Sequence, residues 1–206
     1  HTIVDITGVD RVESVTIAPV DENRNPIMEK AEKIECDTLL LSVGLIPENE
    51  LTRSANVTLS GITKGAVVNQ YKQTDKPYIF ACGNVLHVND LVDHVSHESE
   101  DAGKFAALYA AGKLEEKAEI SVNAGEGVRY VCPQNMAATD EDVDLYFRTM
   151  APGRNTTLTI SDDTGVLVTK KLVRTTPGTI EKLTLPGDKA KNVCGNLVVK
   201  AEHKEA

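Results

Sequence analysis

The sequence changes character near residue 120, and that change limits the chain to two kinds of structure in series. Downstream, strand-length runs at 128–132, 143–148, 156–160, 166–173, 180–185 and 197–201 alternate with turn residues. The separators are Pro152-Gly153, Asp162-Asp163-Thr164-Gly165, Thr176-Pro177-Gly178 and Pro186-Gly187-Asp188. Gly and Asp tolerate left-handed backbone and Pro fixes φ, so each cluster punctuates the chain. Val143, Leu145 and Phe147 alternate with Asp144, Tyr146 and Arg148, the period of a strand with one buried face. Six or so antiparallel strands at this spacing predict a sandwich of about 80 residues.

Upstream, a helix is predicted over 90–111. Ala102, Phe105, Ala106, Tyr109 and Ala110 form one stripe at helical spacing, and Val92, Val95 and Ser99 extend it backwards. Asn89 or Asp90 is placed to cap the start, Asp93 lies in the first turn, and Gly112 suits the C-terminal cap. Residues 12–17 are rich in β-branched side chains, and residues 21–26 carry turn chemistry. Residues 38–44 are apolar over a strand length, the pattern of a strand covered on both faces. Shorter strands are expected at 66–69 and 78–83. The charged run Lys113-Leu114-Glu115-Glu116-Lys117 marks a boundary. The predicted organisation is an α/β domain, residues 1–118, followed by an all-β, sandwich-like domain, residues 121–206.

Composition removes several functions. The 206 residues include 31 acidic and 22 basic side chains, a formal charge of −9. Nucleic acid and anionic membranes both present phosphate and call for Lys and Arg, so neither is expected as a partner. No apolar run approaches the ~20 residues that span a bilayer. Cys36, Cys82, Cys132 and Cys194 are far apart, with no C-x-x-C pair for zinc or for a redox dithiol. They read as reduced thiols of a cytoplasmic protein. The opening His1-Thr2-Ile3-Val4 enters strand-like sequence without an initiator Met or a basic leader, and is read as an internal cut in a longer protein.

One segment carries chemistry. Residues 74–85, Thr-Asp-Lys-Pro-Tyr-Ile-Phe-Ala-Cys-Gly-Asn-Val, place a glycine and a polar residue after an apolar run. About 40 residues upstream lies Thr38-Leu39-Leu40-Leu41-Ser42-Val43-Gly44-Leu45-Ile46-Pro47-Glu48-Asn49. Together with the Ala-rich helix, these elements resemble the last FAD-binding motif, and the return from the NAD(P) domain, of the thioredoxin-reductase-like pyridine nucleotide-disulfide oxidoreductases. The resemblance covers about residues 1–115. It implies a partial FAD/NAD(P)-binding, Rossmann-like domain, with FAD as cofactor and NAD(P)H as co-substrate. In that family the residue after the glycine is usually Asp and contacts the ribityl chain, and the next helix points its N-terminus at the flavin. Carried over, the cofactor-binding residues are Gly83, Asn84, Val85, His94 and Val95. The physics agrees: a glycine lets backbone approach a ligand, and a helix start offers unpaired N–H groups and a positive dipole end. Asn84 departs from the family's Asp; it keeps an acceptor and adds two donors, but loses the carboxylate charge.

Other features have plainer readings. No catalytic residue and no metal ligand is assigned. His94 is expected near the flavin rather than in proton transfer, and His87 and His97 on loop and helix surfaces. Glu98, Glu100 and Asp101 read as a solvated helix face, and Cys82 and Cys132 as packing residues. Asp140-Glu141-Asp142 lacks the ligand spacing of an EF-hand. Neither Gly-x-Gly-x-x-Gly fingerprint of the family is present. The expected function is therefore a C-terminal portion of a flavin-dependent NAD(P)H oxidoreductase, supplying the ribityl and isoalloxazine side of the FAD site and inactive alone. The alternative is a module docking a redox partner subunit, with an adhesion-type β-domain as a third reading. Strands taken from a parallel sheet leave unpaired edges, so self-association is also expected.

Overall fold

The computed structural model describes residues 1–42, 44–114 and 120–203, in two compact units that divide after Gly44. Residues 115–117 of the charged connector and Val43 of the upstream motif lie outside the described residues.

The first unit is an antiparallel meander of β1 (Thr2–Thr7), β2 (Ser14–Ala18) and β3 (Glu32–Glu35). Arg24 takes φ 65° in the turn after β2, where Asp21 Oδ1 accepts the Asn25 N–H at 2.8 Å. Val15 and Ala18 are its buried apolar residues. The expected strand at 38–44 is not formed: residues 38–42 and 44 carry neither helix nor strand, and Leu40 is 90% exposed. An apolar run becomes a strand only when neighbours complete its backbone hydrogen bonds. Among the described residues no strand pairs with this one.

The second unit begins with irregular chain and a short helix, α1 (Glu50–Ser54). The strands expected at 66–69 and 78–83 are reduced to isolated bridges, Leu59 with Ala66 and Gln73 with Phe80. The long helix is α2 (Val92–Ala110), two residues shorter at its start than predicted. Gly112 ends it as expected. At φ 65° its N–H reaches the Tyr109 carbonyl and the Lys113 N–H reaches that of Leu108, a Schellman closure.

Eight strands follow: β4 (Ile120–Ala124), β5 (Val128–Cys132), β6 (Asn135–Met136), β7 (Val143–Thr149), β8 (Gly153–Asp162), β9 (Gly165–Thr175), β10 (Glu181–Leu185) and β11 (Leu197–His203). A short helix, α3 (Gly187–Ala190), precedes β11. One sheet has the order β10-β7-β5, the other β6-β4-β11-β8-β9. Val131, Leu145, Phe147 and Leu183 of the first share one buried core with Leu158, Ile160, Leu197 and Val199 of the second. The all-antiparallel expectation fails at one place, where β11 runs parallel to β4. The alternation along β7 holds on its core side. Its other side is not open to water: Tyr146 is buried there, beside His87 and His94. Residues on both sides of the change in sequence character thus lie in one compact unit.

Candidate cofactor-facing turn and its buried anchor

The turn after the Tyr78–Phe80 region begins as a single 3-10 turn, Gly83–Val85, and leads to the start of α2. Gly83 is buried, at φ 68°. Its N–H donates to Glu98 Oε2 at 2.8 Å, and a Cβ there would meet Val95 Cγ1 at 3.2 Å. The left-handed backbone and the Val95 contact already require a bare glycine. Gly83→Ala is expected to destabilise the chain by about 1–2 kcal/mol, from strain at positive φ. An unchanged urea midpoint would contradict this.

Asn84 is exposed. Its Oδ1 accepts the Asn89 N–H at 3.0 Å, so the carboxamide closes the turn on itself. Its Nδ2 has no partner among the described residues. The Val85 carbonyl accepts from Asn49 Nδ2 at 2.8 Å, which ties the Pro-Asn element of the upstream motif to the turn. Asn49 also donates to the Lys64 carbonyl at 3.1 Å and is itself buried.

The expected N-cap residues do not cap α2. The cap position is Leu91, with no side-chain cap bond, and Val92 is 75% exposed. Asn89 spends its Nδ2 on the His87 carbonyl, and Asp90 turns away to Arg148. The first N–H groups of a helix have no partner within it, so this 19-residue helix opens with uncapped donors three residues after Asn89, the partner of Asn84. His94 is half-buried on the first turn; its Nδ1 is buried without a hydrogen bond, and its ring lies 5.5 Å from that of Tyr146. Val95 packs on Gly83.

Two residues assigned to the surface are in fact the anchor of this turn. Glu98 and His87 are each only 1% exposed. Glu98 Oε1 lies 2.7 Å from His87 Nε2, so both carboxylate oxygens are bonded, one to the imidazole and one to the Gly83 amide. His87 Nδ1 reaches the Tyr130 hydroxyl at 3.4 Å. Lys72, 3% exposed, extends its ammonium toward Tyr146, 5.6 Å from the ring centroid. Burial alone would raise the Glu98 pKa. The hydrogen bond and electrostatic pull of His87, the attraction of Lys72, and the Gly83 N–H outweigh it and hold the carboxyl below its ordinary range. A signal for Glu98 was present in the sequence: it lies three residues after Val95 and four before Ala102, inside the apolar stripe. His87 offered none, because its partners come from distant segments.

Burial pushes the Tyr130 phenol and the Cys132 thiol each up to about 12, so Cys132 is a packing residue and not a reactive thiolate. Among the described residues, no cluster of three or more His, Cys, Asp or Glu side chains is arranged for a metal ion. Among the described residues, no helix is long and apolar enough to cross a membrane.

The sequence model of the pyridine nucleotide-disulphide oxidoreductases matches residues 3–102, a span that contains both motifs, the turn and the first half of α2. The match makes residues 3–102 similar to this family. The family resemblance extends to characterised relatives. The mitochondrial dihydrolipoyl dehydrogenase of Caenorhabditis elegans is 36% identical over 106 residues, 51% of this chain and 20% of that protein. The nitric oxide reductase FlRd-NAD(+) reductase of Escherichia coli is 32% identical over 87 residues, 42% of this chain and 20% of that protein. The hydrogen cyanide synthase subunit HcnB of Pseudomonas protegens is 28% identical over 86 residues, 40% of this chain and 18% of that protein. The chain therefore spans about a fifth of the length of the curated relatives it matches. No solved structure matches it.

Proposed function

We propose that this chain supplies the ribityl and isoalloxazine side of an FAD site, in a flavin-dependent enzyme that uses NAD(P)H as co-substrate. The observation that carries the reading is the uncapped start of α2, which follows the turn closed by Asn84 and Asn89, with Asn84 Nδ2 unpartnered among the described residues, within the family-matched segment. These donors fit the electron-rich pyrimidine edge and the ribityl hydroxyls of a flavin. Asn84 Nδ2 and the first-turn backbone N–H groups, from Val92 to His94, would hold the cofactor. FAD, when bound, supplies the hydride-accepting and electron-transferring chemistry. The chain's own part is to bind and orient it. Gly83 acts from beneath, by giving the turn its shape, and Val95 fills the space behind it. Val85 presents its carbonyl to Asn49, so its part is to hold the upstream motif on the turn.

In the same reading residues 121–206 are an appended module, the enzyme is cytoplasmic, and a redox partner subunit exchanges electrons with it. Self-association through the outer strand β9, where Val166 and Val173 are exposed, belongs to this reading too.

FAD titration of the purified chain, followed by flavin fluorescence, tests the proposal. One saturable phase is expected, weakened about 2- to 10-fold by Asn84→Ala, the worth of one neutral hydrogen bond. Equal affinity in the variant would overturn the Asn84 assignment. Without a pyrophosphate fingerprint, the chain alone is expected to oxidise no NADH above a protein-free control. Turnover by the pure chain would overturn that part.

A further inference from the structure

The β-rich segment makes contacts besides those of its own core: side chains of its first sheet hold the turn that the flavin reading places against the cofactor. Tyr130 on β5 and Arg148 on β7 are register neighbours in the first sheet. Arg148 Nη2 lies 2.6 Å from Asp90 Oδ1 and donates to the Val88 carbonyl at 3.0 Å. Its Nη1 donates to the Pro177 carbonyl at 3.3 Å, in the loop before β10. Asp90 Oδ2 accepts the Ile180 N–H at 2.6 Å from that same loop. Tyr130 meets His87 from the neighbouring strand. Both carboxylate oxygens of Asp90 are thus spent on the β-segment, which leaves the start of α2 without the cap that Asp90 was placed to give.

We propose that Arg148 is a positioning residue: with Asp90 it locks residues 83–90 in one conformation and keeps the helix start free of side-chain caps. The consequence for cofactor binding rests on the flavin reading; the lock itself does not. A guanidinium suits the task because its fork reaches several acceptors in fixed geometry, and its side chain is mostly buried. A lysine presents one point charge and cannot span Asp90, Val88 and Pro177 together. The β-segment is in this respect part of the cofactor-facing element and not a detachable docking domain.

Amide hydrogen exchange on the full chain, without flavin, tests the lock. The N–H groups of Gly83, Leu86, His87 and Asn89 are all hydrogen-bonded within the turn or to Glu98, so they report its opening. In Arg148→Met these four are expected to exchange about 10-fold faster or more, while Leu158, Ile160 and Val199 in the shared core keep their protection. Arg148→Lys is expected to fall between, and Asp90→Asn to resemble Arg148→Met in kind. Unchanged exchange at the four amides in Arg148→Met would overturn the proposal. So would an equal rise in the core strands, which would make Arg148 a general stability residue. An FAD titration of Arg148→Met, below its unfolding range, reads the consequence: affinity is expected to fall about 10-fold. Faster exchange with unaltered flavin affinity would keep the lock and sink its link to the cofactor.

Discussion

Glu98→Ala is expected to destabilise the chain by about 3–5 kcal/mol, because it leaves buried polar groups without their partner. Glu98 bonds the His87 imidazole and the Gly83 amide from a fully buried position, and its charge faces Lys72, which is also buried. Removing the carboxylate strands all three. Glu98→Gln keeps the shape and one acceptor, so its cost is expected to be smaller than that of the alanine. The two variants also separate charge from shape through pH. The Glu98 carboxyl is held below its ordinary value of 4.5 in the folded chain. The unfolded state therefore binds the proton more tightly, and stability from this group is fully present above pH 4.5. It is lost as pH falls below that value and through the lower folded pKa. Urea midpoints measured from pH 7 down to pH 3 should fall more steeply for the parent chain than for Glu98→Gln. Parallel pH profiles, or an alanine variant within 1 kcal/mol of the parent at pH 7, would contradict the anchor.

Phe147→Ala is expected to cost a similar amount, about 3–5 kcal/mol, for a different reason. Phe147 is fully buried on β7, where it faces the core shared by the two sheets. Its loss removes apolar surface from that core and leaves a cavity that a close-packed interior fills only in part. A domain of this size has about 5–15 kcal/mol in hand, so the variant should show a much lower melting temperature. Its neighbour is the control. Tyr146→Phe removes a hydroxyl from the opposite face of β7 and keeps the ring that His87, His94 and Lys72 surround. It is expected to shift stability by less than about 1 kcal/mol. A Phe147→Ala chain as stable as Tyr146→Phe would contradict the placement of the core.

How far the sequence could be read follows from where each signal lies. The helix was legible because its stripe and its terminal glycine are local, and both act within a few residues. The turn-separated strands after residue 120 were legible for the same reason: Pro, Gly and Asp report on their own backbone. Residues 38–44 misled because apolarity states only that burial is favourable; it does not supply the neighbouring strands that make a run a strand. Glu98 stands near Glu100 and Asp101, which suggests a charged surface. Its position within the apolar stripe was the stronger fact. Asp90 looked like an N-cap by local pattern, yet a guanidinium 58 residues away in the chain takes its carboxylate. Such pairings, like that of His87 with Glu98 and Tyr130, are settled by the tertiary structure, and no period or turn signal foreshadows them. The assignment of Gly83, Asn84, Val85, His94 and Val95 to the cofactor rests on motif and resemblance. That Gly83 is buried and Asn84 exposed is settled by the tertiary structure.

In the proposed function the flavin faces the turn at Asn84 together with the start of α2. Nuclear magnetic resonance of the isotopically labelled chain, titrated with FMN to millimolar concentration, tests it most directly, because weak binding still moves individual amide signals. Saturable shifts are expected at Asn84 and from Val92 to Val95, and none in β8 or β11. Shifts confined to other residues, or none at all at millimolar flavin, would contradict it.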